Sequence, residues 1–409
     1  MSIMPSPEMT ILAGEIPRDN RALQPFSNAA IAFLDELSKN LRANTEAKQL
    51  PDVMSFAFWC RKSQLARLKV RFGEEYRRMG RGTVFHITPS NVPVNFAYSF
   101  AFGLLAGNGN IVRLPTAEFA SATIVSETIS RLLLQPQHSA LRSMNALIRY
   151  QREKDFNVGQ FGNDCSLTEQ FSAHADARII WGGDATVKAI RKFAIPSRAV
   201  EVTFADRYSF CVMDEAALAG LSEDALKKLA RNFYNDSYLM DQNACSSPHL
   251  IVWLNSEKPE TRKHFWDALE EEVRASYDLA DVQAVDRHAR LMGNFVRGPS
   301  DQRAEKSSGP AIRVNLSTLD DTTDDLRGTS GLFYEHCAEQ LNDIAEIVNN
   351  KYQTLTYFGV DKDLLGNFVT SNQLSGIDRI VPVGEALAID TIWDGIDVLK
   401  TLSRIIDVR

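Results

Sequence analysis

Cys245 stands in the run MDQNACSSPHLIVW, residues 240–253, flanked by Asn243, Ala244, Ser246 and Ser247. A cysteine thiolate is a strong nucleophile whose reactivity follows its pKa and exposure. The setting is a loop that leads, through Pro248, into an apolar run patterned as a buried strand. Loops on a rigid scaffold commonly carry reacting groups. A second reading stands beside this one, because a free cysteine is most often a small buried apolar residue. Cys60, Cys165, Cys211 and Cys337 lie in apolar or helical stretches and read that way.

Three further groups have chemical potential. In HITPSNVPVNF (86–96) a strand ends at Thr88, and Pro89 and Asn91 lie in the turn before a helix. An amide held there either donates to a developing oxyanion or caps the helix. In RIIWGGDATV (178–187) a strand ending at Trp181 runs through Gly182 and Gly183 into a helix that opens at Asp184. Such a turn admits a pyrophosphate to backbone N–H groups at the positive end of a helix, or is simply a turn. In NIVRLPT (110–116) Arg113 and Thr116 close a strand, where an open parallel sheet offers ligand sites. Arg113 there either holds a phosphate or is a surface arginine. His86 and His249 read as structural, and no H-x-x-H or HExxH pairing points to a metal.

These residues need elements to position them. The pattern predicts a helix over 24–45, helix over 54–79, a strand at 82–88, helix at 93–108, strand at 110–115 and helix at 118–134. Strands follow at 177–183 and 208–214, a helix at 222–239, a strand after Pro248, and a helix over 258–277. Helix over 338–350 and a strand over 354–360 close the series. Residues 284–330 carry no assignment. Alternating strands and helices predict an α/β fold with parallel sheets. The 409 residues suffice for two or three domains.

Composition narrows the function classes. With 45 basic against 52 acidic residues the net charge is −7, which argues against a nucleic-acid surface. No apolar run approaches the ~20 residues of a membrane span, and the N-terminus lacks the pattern of a secretory signal. An odd number of cysteines without CxxC argues against a disulfide framework or zinc cage, and for the reducing cytoplasm.

Taken together, GTVFHITPSNVPVNFAYSFAFGLLAGNGNIVRLP and MDQNACSSP resemble the aldehyde dehydrogenase superfamily, and within it the LuxC-type acyl-CoA reductases, the fatty-acid reductases of bacterial bioluminescence. WGGDATVKAIRKF and LNDIAEIVNNKYQTLTYFGVDKD follow the superfamily more loosely, and the likeness runs from about residue 80 to 370. The resemblance implies a Rossmann-like cofactor domain, 1–205 with 376–409 returning to it, and a second α/β catalytic domain, 206–375. It implies that Cys245 is the nucleophile, with Gln242 three residues before it, and Asn91 the oxyanion donor. It places Thr88, Pro89, Arg113, Thr116, Trp181, Gly182, Gly183 and Asp184 around the cofactor. A neutral Thr116 beside Arg113, where many NAD-using relatives carry a glutamate, implies NADPH. The implied activity is reduction of a fatty acyl thioester to the aldehyde, the donor being a fatty acyl-CoA or an acylated partner enzyme, in a homo-oligomer without a metal. Thr203 falls where hydrolytic relatives carry a water-activating glutamate, with Glu201 two residues away. Oxidation of an aldehyde to the free acid is the alternative if Glu201 acts as that base, and a non-catalytic acyl- or partner-binding member is a second alternative.

Overall fold

The computed structural model describes residues 9–19, 21–89, 92–150, 166–256, 258–298, 302–304 and 309–409. The chain divides into two compact units, Met1–Ala205 with Ile396–Arg409, and Asp206–Gly395.

The first unit is built on a six-stranded sheet. Its strands are β1 (Met9–Gly14), β3 (Thr83–Ile87), β4 (Gly109–Arg113), β5 (Asn145–Tyr150), β6 (Ala177–Trp181) and β7 (Val200–Phe204), while β2 (Arg77–Gly80) lies outside it. The order is β1-β5-β4-β3-β6-β7. All neighbours are parallel except β1, which runs antiparallel to β5. From β3 the chain therefore proceeds outward through β4 and β5, then crosses back to β6 and β7. That reversal creates a crevice at the carboxyl ends of β3 and β6, where such sheets take ligands.

Helix α1 (Asn28–Ala43) starts at Ser27, whose hydroxyl accepts from Ala30 N at 3.3 Å. Helix α2 (Asn95–Leu105) is apolar on every side and buried over Phe96–Leu105. It packs close to the sheet through Gly103, where a Cβ would lie 1.7 Å from Asn110 Oδ1. Helix α3 (Ala120–Leu133) follows β4.

The predicted helix over 54–79 resolves into Pro51–Trp59 and Lys62–Phe72 and stops short of its expected end. Gly73 closes it at φ +76°, and β2 pairs antiparallel with Ser403–Ile406. Arg77 and Arg78 are good helix formers, but a partner strand from the far end of the chain takes their backbone hydrogen bonds.

The second unit holds a seven-stranded sheet ordered β10-β11-β12-β9-β8-β13-β14. These are β8 (Tyr208–Asp214), β9 (Leu250–Leu254), β10 (Arg303–Ala304), β11 (Ile312–Asn315), β12 (Leu332–Ala338), β13 (Tyr352–Phe358) and β14 (Arg379–Pro382). All but β10 run parallel. Helices α4 (Asp184–Ile190), in the first unit, and α5 (Glu223–Ser237), α6 (Pro259–Ser276) and α7 (Asp281–Arg297), in the second, complete the elements used below.

Two expectations are corrected here. Residues 376–395, expected with the cofactor domain, belong to the second unit. β14 adds to β13, and Asp236 accepts from Gly384 N and Ala386 N at 2.6 and 2.9 Å. Residues 338–350 form a single 3-10 turn, Leu341–Ile344, rather than a helix. Leu341, Ile344, Ile347 and Val348 all face the core, so the helical spacing reported burial without α-helical backbone. The unassigned stretch 284–330 contains most of α7 and all of β11. No helix among the described residues is long and apolar enough to cross a membrane.

Candidate functional site

Cys245 lies on the loop between α5 and β9, at the amino end of the parallel strands of the second unit. The loop is closed from both feet. Gln242, buried and at φ +61°, donates through Nε2 to Pro248 O at 3.0 Å and Leu332 O at 3.1 Å, and its Oε1 accepts from Gly331 N at 3.1 Å. Ser209, at the start of β8, donates its hydroxyl to Cys245 O at 2.7 Å and accepts from Thr354 N at 3.2 Å. His249 N donates to Ser209 O at 3.0 Å. The thiol thus rides on a short loop fixed to three adjacent strands, while Cys245 itself is exposed.

Protein crowds the remaining sides of that thiol and pushes its pKa up to about 11. Loss of solvation is the first cause. Asp394 and Asp206 add to it, while Arg327 and the residue's own backbone N–H favour the thiolate. Arg327 and Asp206 form an ion pair at 3.1 Å. Asp394 accepts a hydrogen bond from Gln353 Nε2, and burial raises its own pKa against the pull of Arg207 and Gln353. The charges that tune Cys245 were missed by sequence reading. Asp394 is far along the chain from Cys245 and carries no local motif.

Of the other cysteines, Cys60 and Cys211 are buried, and Cys165 lies outside the described residues. Cys337, expected to be buried, is exposed near the end of β12, where Arg262 Nη1 lies 2.9 Å from its sulfur. An alternating strand sends adjacent side chains to opposite faces, which a run of apolar letters hides.

In the first unit the candidate cofactor residues gather at one end of the sheet. Ile87 is aligned with Ile180 on β6 and with Arg113 on β4, so Thr88, Pro89, Trp181, Gly182, Gly183, Asp184 and Arg113 share the carboxyl edge beside the crevice. Thr88 Oγ1 donates to Arg113 O at 2.6 Å. The Arg113 guanidinium lies 4.8 Å over the Tyr150 ring. Thr116 is exposed three residues past the end of β4, and the nearby Glu118 is paired with Arg149 at 3.1 Å. A Cβ on Gly183 would meet no atom within 4 Å, whereas one on Gly182 would lie 2.9 Å from Thr186 Cγ2. Gly183 therefore serves no packing need of the chain and leaves open space in front of α4, which fits a pyrophosphate approaching backbone. Asn91 lies outside the described residues.

Trp181 is held from behind. It stacks on Phe204 with centroids 3.9 Å apart, and its Nε1 donates to Ser99 Oγ at 2.9 Å. Ser99 pairs with His86 Nδ1 at 2.7 Å, His86 Nε2 with Asn110 Oδ1 at 2.9 Å, and Asn110 Nδ2 donates to Asn145 Oδ1 at 2.7 Å. Because Asn110 Oδ1 can only accept, His86 carries its proton on Nε2, and the Ser99 hydroxyl donates to Nδ1. Burial lowers the His86 pKa to about 4, so the ring is neutral.

Glu201 sits on β7, and its two oxygens are occupied. Oε2 accepts from Arg178 Nε at 2.8 Å and also from Arg178 Nη2, and Oε1 accepts from Arg191 Nε at 2.7 Å. Among the described residues no His, Cys, Asp and Glu group of three or more could hold a metal.

The model of the acyl-CoA reductase (LuxC) family matches residues 18–288. The long-chain acyl-protein thioester reductase of Aliivibrio fischeri is 23% identical over 326 residues, 74% of this chain and 58% of that protein. A second such protein, long-chain acyl-protein thioester reductase 2 of Photobacterium leiognathi, is 24% identical over 209 residues, 51% of this chain and 38% of its own. The chain thus spans less than two thirds of the length of these relatives. Among solved structures, lactaldehyde dehydrogenase from Escherichia coli superposes with a TM-score of 0.60 at 13% identity, covering 86% of this chain and 78% of that one. An indole-3-acetaldehyde dehydrogenase in complex with NAD+ gives 0.64 at 9%, covering 92% and 82%. The fold is that of the aldehyde dehydrogenases.

Proposed function

The chain belongs to the acyl-CoA reductase (LuxC) family, and from that premise we propose that it reduces a fatty acyl thioester to the aldehyde with NADPH, through an acyl-enzyme on Cys245. The observation that carries this reading is an exposed thiol on a loop locked by Gln242 and Ser209. Cys245 sulfur attacks the acyl carbonyl, the carbon–sulfur bond to the donor breaks, and the thiol proton leaves with the expelled thiolate. The backbone N–H of Cys245 joins no backbone–backbone hydrogen bond among the described residues, which supports its role as an oxyanion donor alongside Asn91. NADPH, when bound, supplies the hydride that reduces the thioester carbon. The resulting thiohemiacetal alkoxide on Cys245 re-forms its carbonyl as the carbon–sulfur bond breaks, which releases aldehyde and the Cys245 thiolate, and the thiolate takes one proton from solvent.

The cofactor residues are Thr88, Pro89, Arg113, Thr116, Trp181, Gly182, Gly183 and Asp184. The open space at Gly183 supports pyrophosphate contact, and the Arg113 cation supports attraction of a 2′-phosphate. Hydrolysis to a free acid needs a carboxylate able to activate water. Both oxygens of Glu201 are engaged by arginines, and this favours the reductase reading over the oxidative one. The acyl donor is a fatty acyl-CoA or an acylated protein.

The test is NADPH oxidation measured over acyl-CoAs of increasing length, with mass spectrometry of the chain after acyl-CoA alone. We expect an acyl adduct on Cys245, none in Cys245→Ser, and loss of turnover in that variant with NADPH binding retained. An adduct on another cysteine, or none on any, refutes the assignment.

A further inference from the structure

Strand β13 carries one residue too many where it passes the cysteine loop. Tyr352 pairs with Tyr208 and Leu355 with Phe210, so three steps on β13 run against two on β8. A bulge of this kind re-aims side chains and is common beside active sites. Here Gln353 and Thr354 together oppose Ser209. Thr354 N donates to Ser209 Oγ at 3.2 Å, and that hydroxyl donates to Cys245 O at 2.7 Å. Gln353 is buried, and its Nε2 donates to Asp394 Oδ1. Cys245 and Asp394, far apart in the chain, are thus anchored to neighbouring residues of one bulge.

Asp394 is set in place from a second side. It lies at φ +48° and Gly395 at φ +71°, the left-handed pair that a type I′ turn requires. A Cβ on Gly395 would lie 2.8 Å from Asp378 Oδ1, so the turn rests against Asp378, which is paired with Arg207. Gln353 takes one carboxylate oxygen, and Oδ2 has no hydrogen-bond partner among the described residues. Of the charges that act on the Cys245 sulfur, Asp394 is the strongest, ahead of Arg327 and Asp206, which pair with each other. The thiol is not ionised at neutral pH, so its attack needs a base. We propose that Asp394 carries the proton of the acyl transfer, taking it from Cys245 as the sulfur bonds to the acyl carbon and handing it to the donor sulfur as the old carbon–sulfur bond breaks. Asp394 ends as the carboxylate it began as, and nothing else is consumed. The inference rests on the acyl reductase reading and assigns the base for its first step.

The test sets acylation of Cys245 by dodecanoyl-CoA, without cofactor and read by mass spectrometry, beside its alkylation by iodoacetamide. Both are followed from about pH 6.5 to 9. Alkylation runs through the thiolate and expels iodide, which takes no proton. Asp394→Asn keeps the size of the side chain and an oxygen for Gln353. It should acylate about 100-fold more slowly at pH 7 while alkylating faster. Between pH 7 and 8 the wild-type acylation rate should change by less than about threefold, whereas that of the variant should climb about tenfold with the thiolate fraction. The wild-type profile needs no variant, so it decides even where Asp394→Asn disturbs the loop. A variant that acylates as fast as the wild type, or a wild-type rate that itself climbs about tenfold per pH unit, overturns the proposal and leaves the reductase reading standing. A wild-type chain that gains no adduct on Cys245 overturns both.

Discussion

At the scale of single residues, Cys245 is a thiol at neutral pH, because crowding and Asp394 hold its pKa near 11. Below that value each pH unit changes the thiolate fraction about tenfold, so iodoacetamide should modify Cys245 about ten times faster at pH 9 than at pH 8. Asp394→Asn removes the charge that most opposes the thiolate, and alkylation at pH 8 should rise about 3–10-fold. Peptide mapping separates this from modification of Cys337. An unchanged or slower rate would mean that Asp394 does not act on the sulfur. Arg113 and Thr116 make a second residue-scale prediction. Thr116→Glu should move cofactor preference from NADPH toward NADH in steady-state kinetics, since a carboxylate repels a 2′-phosphate. A wild-type preference for NADH, indifferent to this change, would refute the placement of the adenosine ribose.

At the scale of elements, the cysteine loop depends on one amide. Gln242 bridges Pro248, Leu332 and Gly331, so Gln242→Ala leaves a buried N–H and two carbonyls without that partner. The expected cost is about 1–3 kcal/mol, read from urea unfolding. Turnover per folded molecule should fall as well, because the thiol no longer holds its angle to the substrate. Full turnover in a destabilised variant would make Gln242 purely structural. Much of this was legible in sequence: Gln242 and Cys245 stand together, and strand β9 follows in a pure apolar run. The partners were not. Ser209, Leu332 and Thr354 meet the loop only because β8, β12 and β13 lie beside or near β9 in the sheet, an adjacency set by strand order. The same holds for β2, whose charged run reads as helix until Ser403–Ile406 pairs with it.

At the scale of the whole molecule, each unit buries a neutral histidine. His86 is lowered to about 4 by burial in the first, and His249 to about 3 in the second, by burial and then by Arg327 and Arg290. Gly328 N donates to His249 Nδ1 at 3.2 Å, which fixes its proton on Nε2. Both folded values lie below the unfolded value of about 6.5, so the unfolded chain binds protons first as pH falls. Their contribution is complete above pH 6.5 and is lost progressively down to about pH 4 for His86, at about 3 kcal/mol, and down to about pH 3 for His249. Melting temperature should therefore decline across that window, and His86→Gln should flatten the decline in the first unit. A flat profile in the wild type would show that the rings are charged in the folded state. The amino-acid sequence by itself determined the α/β class, the strands that hold His86, Trp181 and Arg113, and the loop that carries Cys245. It could do so because burial periods, turn residues and motif spacing act over a few residues. Only the tertiary structure decided that Asp394 tunes the thiol and that Glu201 is bound by Arg178 and Arg191. Those outcomes depend on which distant segments meet, and the free energy of such meetings is shared by residues with no common stretch of chain.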